Sequence, residues 1–583
     1  MKSTSKKIII ILLSVSFLTI FLNYNTITEK IANRIVGIKI SSAEKIEVLL
    51  KGKNPELISA EIFFNDKQAA YDKESNTIYI PQNLDKNSWQ GKLKAKSGQL
   101  YLLDDDFLAS KSDAVSSGHI FQLYLIGENT YNVYNLIFTG MPIMNIRLSD
   151  KKPQNEEIGA EGALDVVDPY RLEDSIKNIP CTYALRGASA KSYEKSSYKL
   201  KLNNHKKSLL GMRKDDDWIL NALYDDSGLI HNKLSYAVWR EIAKSNNVKN
   251  DEGTTQEYIE LFIDDEYLGV YGLTERIDAK ELSLTDRDFL YKCRSTRIPE
   301  EHNYTNEMTD NMSPIFILKY PKEDSHENWE PLKAWVNLFC KDELTSYEEG
   351  TVLLNMENAI DYNLFCLLIC GTDNMRKNIY FIAECQEDGA FSFKKVPWDL
   401  NATWGNPWIE DPECNFSKYN PKLIEEVDAW CTDIDILYYY NEVEVSKILL
   451  DRWQELRQTV LTKERLYEIL NEQFGYLHLS GAYHRNYERW PHGAEYWKDE
   501  FIYQYIDGRL NFLDNYFEQL YFDSLEPDIY MGTDYTEEFN AKYYWQTNKE
   551  TLEELYSYDK ALLLEHYALY GKPFELEAKK PGT

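Results

Sequence analysis

Positive charge is scarce in this sequence. Its 583 residues include 65 Lys and Arg against 95 Asp and Glu, which leaves a formal net charge of −30. A broad surface for nucleic acid or for anionic lipid needs the opposite sign. The composition therefore argues against a nucleic-acid partner and against general adhesion to anionic membranes.

Cysteine motifs typical of metal sites are missing as well. The eight cysteines include no C-x2-C pair, and Cys366 and Cys370 share an apolar run that has no histidine nearby. We therefore expect buried helical cysteines there rather than a metal site. Disulfides stay open, because an even number of cysteines permits them outside the cytosol but no pairing follows from the sequence.

Apolar and aromatic residues, by contrast, are plentiful. Hydrophobic residues make up 43% of the chain, with 13 Trp and 43 Tyr, which is enough for large cores. This composition is typical of a globular chain, and the length suggests several domains. The mixture of helical and strand patterns described below predicts an α+β protein.

A charge-free stretch follows a basic N-terminus. Three lysines precede the apolar run Ile8–Leu22, and no charged residue occurs from Ile8 to Thr28. Such a segment is just long enough to span a bilayer, and the lysines place its start on the cytoplasmic side. We expect a signal anchor over residues 1–28 and a single-pass protein of the cell membrane, mostly extracytoplasmic. A cleaved signal peptide is the alternative.

Short strand patterns separated by polar turns occur throughout residues 44–138, within an expected β-rich domain at 29–138. The candidates run from Lys45–Leu50 to Tyr131–Phe138, and no cluster of catalytic residue types accompanies them. This spacing predicts a small β-sandwich-like domain.

The stretch 361–405 combines three patterns. Tyr362–Cys370 predicts a buried helix segment that ends at Gly371 as its C-cap. Two strand patterns that flank Asp388-Gly389 predict a hairpin over residues 378–396. The helix, the loop after it and the hairpin would bring three polar residues towards one place: Asp373, Asn378 and Asp399.

These three residues suit phosphoryl transfer. That reaction needs a carboxylate that orients and deprotonates the acceptor, and oxygen ligands for the metal on the phosphates. In protein kinases the base and a metal-binding Asn lie five residues apart, and a second Asp follows a strand pair. Asp373 and Asn378 have that spacing, and Asp399 fits the later position. An ordinary polar loop with a solvated Asp is the alternative, because a D-x4-N spacing is common.

The same residues carry a resemblance to a known family. Asp373-Asn374, Lys377-Asn378 and Pro397-Trp398-Asp399 resemble the CotH family, which comprises atypical protein kinases like spore coat protein H. Blocks at residues 186–202, 217–236 and 267–278 resemble it in the same order. The resemblance implies a distant, two-lobed protein-kinase fold over residues 139–525. It also implies Ser/Thr phosphorylation with ATP and Mg²⁺ or Mn²⁺.

The resemblance implies roles for individual residues. Asp373 would be the catalytic base, and Asn378 and Asp399 would bind the metal. Lys199 is favoured over Lys195 and Lys201 as the lysine at the phosphates. The residues expected to contact the nucleotide are Arg186, Gly187, Ser189, Lys199 and Glu275.

Two positions depart from the family pattern. His231 stands where the family has Arg, which puts a phosphate or carboxylate contact there in doubt. Asn401 stands where the family often has a second Asp, and this departure would weaken the enzyme if that Asp is a metal ligand.

The sequence thus predicts a cell-surface Ser/Thr protein kinase that acts on protein substrates. Two alternatives stay open: a non-catalytic surface protein that uses the fold as a scaffold, and a transferase that moves AMP from the same metal site. Residues 526–583 resemble a short helical repeat at the ends of bacterial surface proteins. They predict a small helical interaction module in which His566 is structural.

Overall fold

The computed structural model describes most of the chain after its N-terminal segment. The described residues are 35–56, 61–103, 111–149, 152, 159–187, 193–307, 314–406, 419–427, 429–491, 497–552, 559–581 and 583. The expected anchor at residues 1–28 and the candidate Ser189 lie outside these ranges. None of the described helices is both long enough and apolar enough to cross a membrane.

Two sheets form the β-rich region that the sequence predicts near the N-terminus. A mixed sheet has the strand order Ile38–Ser41, Gln99–Leu103, Phe121–Ile126, Thr130–Thr139, Thr77–Pro81 and Ala70–Asp72, with Asn54–Pro55 beside Thr130–Thr139. A smaller sheet orders Lys67–Gln68, Ile62–Phe64 and Leu93–Ala95. Both sheets contribute to one hydrophobic core, with Phe64 and Leu93 from the smaller and Phe121 and Phe138 from the larger.

One predicted strand in this region is wrong. Lys45–Leu50 belongs to the helix Ala43–Leu50, whose N-cap is Ser42 and whose first turn contains Glu44. Ile46 is buried there and Val48 is exposed, so the apolar residues follow the helical period and not the alternation of a strand. A second short helix, Lys111–Ser116, also belongs to this region.

The next seven strands form a sheet that closes on itself. Its order is Ile143–Leu148, Ala160–Val167, Ile176–Arg186, Ser197–Leu202, Asp217–Asn221, Tyr267–Glu275 and Gln256–Ile263. Gln256–Ile263 closes the sheet by pairing in parallel with Ile143–Leu148. The predicted alternation of Ser197–Leu202 is confirmed, because Leu200 and Leu202 are buried while Lys199 and Lys201 are exposed.

The chain divides into two compact units. The first comprises Met1–Ala222, Glu257–Leu273 and Phe474–His492. The second comprises Leu223–Gln256, Thr274–Gln473 and Gly493–Thr583. Strands and helices occur in both, which confirms the predicted mixed α+β class.

The second unit is mostly helical around one antiparallel sheet. The sheet has the order Phe316–Tyr320, Phe289–Cys293, Ile379–Cys385 and Phe391–Pro397. The main helices of this unit are His231–Ser245, Glu330–Cys340, Tyr347–Leu353, Met356–Ile369, Thr432–Tyr440, Glu442–Gln458 and Glu500–Leu525. The helix Lys463–Leu479 begins in this unit and ends in the first, which also contains the helix Ala482–Arg489.

The predicted helix before the candidate loop is present and buried. Met356–Ile369 buries every residue from Asn358 onward, as its apolar sequence predicts. The predicted C-cap is wrong, because Cys370 and not Gly371 takes the left-handed conformation, with φ +48°. Gly371 is small for another reason: a Cβ there would lie 3.0 Å from Ile369 Cδ1 and 3.3 Å from Asn374 Oδ1.

Cys366 lies within this helix and Cys370 at its end, and both are buried, as expected. The seven cysteines within the described residues are free thiols, and Cys414 lies outside those residues.

The C-terminal segment is helical, as predicted. It contains the helices Ala541–Thr547, Lys549–Leu552 and Lys560–His566 and a π-helical turn at Tyr567–Gly571, after a short hairpin of Ile529–Tyr530 and Thr533–Asp534. His566 is buried and its Nδ1 lies 2.8 Å from the Tyr544 hydroxyl, which supports its predicted structural role.

Candidate functional site

The hairpin predicted around Asp388-Gly389 carries two of the three candidate residues. Ile379–Cys385 pairs antiparallel with Phe391–Pro397, and Ile379 lies opposite Pro397. Asn378 and Trp398 come next at the open end, where the Trp398 N–H donates to the Asn378 carbonyl at 3.1 Å. Asn378 and Asp399 therefore flank the same end of one hairpin.

Both residues have unusual backbone conformations. Asn378 has φ +56° and Asp399 has φ +62°, in the left-handed region that few residues other than glycine adopt. Asn and Asp tolerate this region better than most side chains. Such conformations cluster at functional sites and persist only where the surrounding structure fixes them.

The third candidate, Asp373, lies on the short loop between the buried helix and the hairpin. It belongs to the 3-10 turn Thr372–Met375, and its Oδ2 pairs with Lys377 Nζ at 3.0 Å. The next residue, Asn374, is 1% exposed and its Nδ2 donates to the Trp398 carbonyl at 2.7 Å. This bond joins the Asp373 loop to the segment that carries Asp399, so the structure brings the three segments together.

The segment that begins at Asp399 is also held by hydrogen bonds to a helix. The Asp399 N–H donates to the Tyr236 hydroxyl at 3.3 Å, and the Leu400 N–H donates to Asn232 Oδ1 at 2.9 Å. Both acceptors belong to the helix His231–Ser245. Residues distant in sequence thus fix the position of Asp399.

A further carboxylate, Asp225, lies at this site, and the sequence alone does not single it out. Asn401 Nδ2 donates to Asp225 Oδ2 at 2.7 Å. Burial, followed by the nearby Asp399 carboxylate and then by Asp226, raises the pKa of Asp225 to about 7. The doublet Asp225-Asp226 before a helix was the only sequence signal, and it does not say which of the two faces Asp399.

This contact also explains what Asn401 does. Its amide donates to a carboxylate, which a second Asp at this position could not do unless it were protonated. The departure from the family pattern at Asn401 therefore comes with a defined hydrogen bond to Asp225.

The other departure from the family pattern, His231, is paired with Asp226. His231 is 0% exposed, its Nδ1 lies 2.5 Å from Asp226 Oδ1, and its N–H donates to Asp226 Oδ2 at 2.8 Å. Its ring packs edge-on against Trp497, with ring centroids 5.2 Å apart. Asp226 and His231 thus stabilise the start of the helix His231–Ser245.

The expected nucleotide contacts lie in both units. Arg186 ends the strand Ile176–Arg186 in the first unit, and Gly187 follows it with φ +113°, which favours glycine. Lys199 is exposed in the same unit. Glu275 belongs to the second unit and is buried, with its N–H donating to the Thr255 carbonyl at 3.0 Å.

A different lysine is buried in the first unit. Lys195 is 1% exposed, and its Nζ donates to the Val270 carbonyl at 2.5 Å and to Asn486 Oδ1 at 2.9 Å. It lies over the Tyr271 ring, 4.7 Å from the centroid. Burial holds the pKa of Lys195 well below its ordinary value.

The oxygen ligands at the hairpin end are too few to bind a hard cation alone, so waters or phosphates would have to supply further oxygens. Within the described part of the chain, no three His, Cys, Asp or Glu side chains come together as a metal-binding group. Asn378, Asp399 and Asp225 offer one amide and two carboxylates. Mg²⁺ commonly uses one or two carboxylates together with waters and substrate phosphates, so this set fits a metal that arrives with a nucleotide.

These features define a mixed α+β protein with a polar site at the open end of one hairpin. Residues 184–519 match the family described as CotH kinase protein. This match covers more than half of the chain, so the chain belongs to the CotH kinase family, and the resemblance predicted from the sequence is confirmed. No curated protein matches the sequence.

Proposed function

We propose that this chain is an atypical Ser/Thr protein kinase that transfers the γ-phosphate of ATP to hydroxyl groups of protein substrates. Membership of the CotH kinase family supports a kinase-like protein. The observation that carries the proposal is the hairpin end, where Asn374 and Trp398 join the Asp373 loop to the segment of Asp399. Positioning of this kind is most of what phosphoryl transfer asks of a protein.

Asp373 is the proposed base. Its Oδ2 is fixed by Lys377, while Oδ1 makes no hydrogen bond within the described residues. In the proposed step Oδ1 accepts the proton of the substrate hydroxyl. The hydroxyl oxygen then bonds to the γ-phosphorus, the bond from that phosphorus to the β–γ bridging oxygen breaks, and ADP leaves.

Asn378 and Asp399 would hold the metal, and Asp225 would supply a further carboxylate beside Asp399. Mg²⁺ or Mn²⁺, when bound, supplies charge neutralisation on the phosphates. Asn401 orients Asp225 by its hydrogen bond. Lys199, Arg186, Gly187, Ser189 and Glu275 remain the proposed nucleotide contacts, on the strength of the family pattern.

The proposed setting is the cell surface. The charge-free run behind three lysines supports a membrane anchor with the rest of the chain outside the cytoplasm. Fractionation of cells that express the full chain tests this, with recovery in the membrane pellet expected. Recovery only as soluble protein trimmed at its N-terminus would favour a cleaved signal peptide.

The decisive test of the activity is intact-mass analysis after incubation with ATP and Mn²⁺, with and without a Ser-rich protein acceptor. A gain equal to one or more phosphoryl groups supports the proposal. A gain equal to AMP identifies a nucleotidyl transferase, and no gain on the chain or the acceptor supports the non-catalytic scaffold. Asp373→Asn, treated in parallel, shows whether any gain depends on the proposed base.

A further inference from the structure

The loop that carries Asp373 forms part of the wall of a cavity. Its volume is about 310 Å³, which is within the range of roughly 300–1,000 Å³ that is usual for small-molecule sites. Trp335, Phe339 and Phe381 give it aromatic walls. Met375 and Arg376, between Asp373 and Asn378, form another part of the lining.

The acidic groups in this lining already have cationic partners. Asp435 pairs with Lys542, and Asp342 pairs with Lys580, both lysines coming from the C-terminal helical segment. The Lys542 side chain is nearly buried and lies 4.1 Å from the centroid of the Trp430 ring. The C-terminal segment thus places a lysine amino group beside each of the two carboxylates at the cavity.

The basic side chains in the lining differ in whether they have partners. Lys395 and Arg297 line the cavity and both have partners, because Lys395 pairs with Asp433 at 2.6 Å and Arg297 Nε donates to Ser295 Oγ at 3.4 Å. Arg376 is exposed, and its side chain makes no hydrogen bond or ion pair within the described residues. Trp335 is 5% exposed, and its Nε1 donor has no hydrogen-bond partner there either. Within the described part of the chain, the cavity therefore combines apolar walls with Arg376, which has no counter-ion, and with the Trp335 donor, which has no acceptor.

We propose that this cavity binds a small amphipathic anion. Its aromatic body packs against Trp335, Phe339 and Phe381, and its carboxylate, sulfonate or phosphate group pairs with Arg376. Burying such a body removes apolar surface from water, and an ion pair at the rim with planar guanidinium geometry selects the charged ligand. The proposal is independent of phosphoryl transfer, because it rests on no residue of the proposed catalytic set.

The probe is naphthalene-2-sulfonate, titrated calorimetrically into the full chain, with the neutral naphthalene-2-sulfonamide as its matched control. We expect one saturable site that prefers the sulfonate. In Arg376→Gln the sulfonate should bind about tenfold or more weakly, because a charge-assisted hydrogen bond is lost, while the sulfonamide is unaffected. Arg287→Gln, which removes an exposed arginine outside the cavity lining, should bind both compounds as the wild type does.

A second variant tests the cavity itself. Ile436 lines it and is half-buried, so Ile436→Trp should fill it and abolish binding of both compounds without unfolding the chain. Undiminished sulfonate binding in either Arg376→Gln or Ile436→Trp overturns the proposal. So does the absence of saturable binding to the wild type, or equal affinity for the two compounds.

The role of the C-terminal lysines has its own test. Lys580→Met should weaken sulfonate binding, because it leaves the Asp342 carboxylate unpaired at the cavity. The double variant Lys580→Met with Asp342→Asn removes both charges and should restore binding. If the double variant binds as weakly as the single one, neutralisation of Asp342 is not what makes the cavity receptive to anions.

Discussion

The hairpin end in the second unit and the lysine-bearing strand in the first differ in whether other residues hold their polar side chains in place. At the hairpin end, other side chains hold the candidate residues or their segments: Lys377 pairs with Asp373, and Asn374 binds the Trp398 carbonyl. On Ser197–Leu202, Lys199 is exposed, and its side chain makes no hydrogen bond or ion pair within the described residues.

This difference matters because a fixed polar group has already lost its conformational freedom. A group held near its working geometry contributes to a reaction without further ordering, and its removal changes the rate strongly. A long, free side chain is ordered only when a ligand binds, so part of each contact it makes is offset by lost entropy. We therefore expect large mutational effects at the hairpin end and small ones on the strand.

The largest effect is expected at Asp373. Asp373→Asn keeps the shape of the side chain but removes the proton acceptor, so single-turnover phosphorylation should fall by a factor on the order of 10² or more. ATP and metal should bind nearly as before, since Asp373 is not a proposed ligand. Rapid-quench measurement of the rate, with nucleotide affinity measured on the same sample, tests both parts. An unchanged rate would place the catalytic site elsewhere.

Asp399→Asn should fail in a different way. It removes a charged ligand from a hard cation, so metal-dependent ATP affinity should fall about tenfold or more, together with the rate. Titration of ATP with and without Mn²⁺ measures this loss, and Asp373→Asn is the matched control. If Asp373→Asn loses metal binding and Asp399→Asn does not, the two roles are exchanged.

Local patterns predicted much of this region and tertiary contacts decided the rest. The hairpin follows from Asp388-Gly389 and its flanking strand residues, and the buried helix follows from its apolar run. Cys370 as the left-handed residue could not be predicted, because the glycine beside it is needed for close packing. The selection of Asp225 over Asp226 depends on Asn401 and Asp399, more than 170 residues away in sequence.

The next largest effect concerns the neighbouring carboxylates Asp225 and Asp226, and it is expected in the free energy of unfolding. The pKa of Asp225 is about 7 in the folded chain, whereas an unfolded Asp titrates near its usual ~3.9. Between these values the folded state binds more protons, so the free energy of unfolding falls as pH rises through the window. Asp225→Asn removes this loss. The variant should be more stable than the wild type by about 1 kcal/mol or more above pH ~7, with the difference vanishing towards pH ~4.

Urea unfolding in metal-free buffer at several pH values within and above this window measures the difference. The matched control is the same change one residue later. Asp226→Asn should destabilise the chain by about 1 kcal/mol, because the two Asp226 oxygens accept separately from the Gly228 and His231 N–H groups and Asn has a single acceptor oxygen. Equal effects of the two variants would mean that the two carboxylates do not differ as described.

The smallest mutational effects are expected on the strand Ser197–Leu202. A large effect there would contradict the expected difference between this strand and the hairpin end. Lys199 and Lys201 are both exposed on the same face, so replacing either with Ala should change stability by less than about 0.5 kcal/mol. The family pattern favours Lys199 as the phosphate contact, so Lys199→Ala should weaken ATP binding several-fold while Lys201→Ala does not. ATP affinities of the two variants, measured at one ionic strength, decide between them. A larger loss at Lys201 would reassign the lysine, and no loss at either would remove this strand from the proposed nucleotide site. A loss at Lys199 as large as that at Asp399 would show that a side chain free in the unliganded chain can matter as much as a preorganised one.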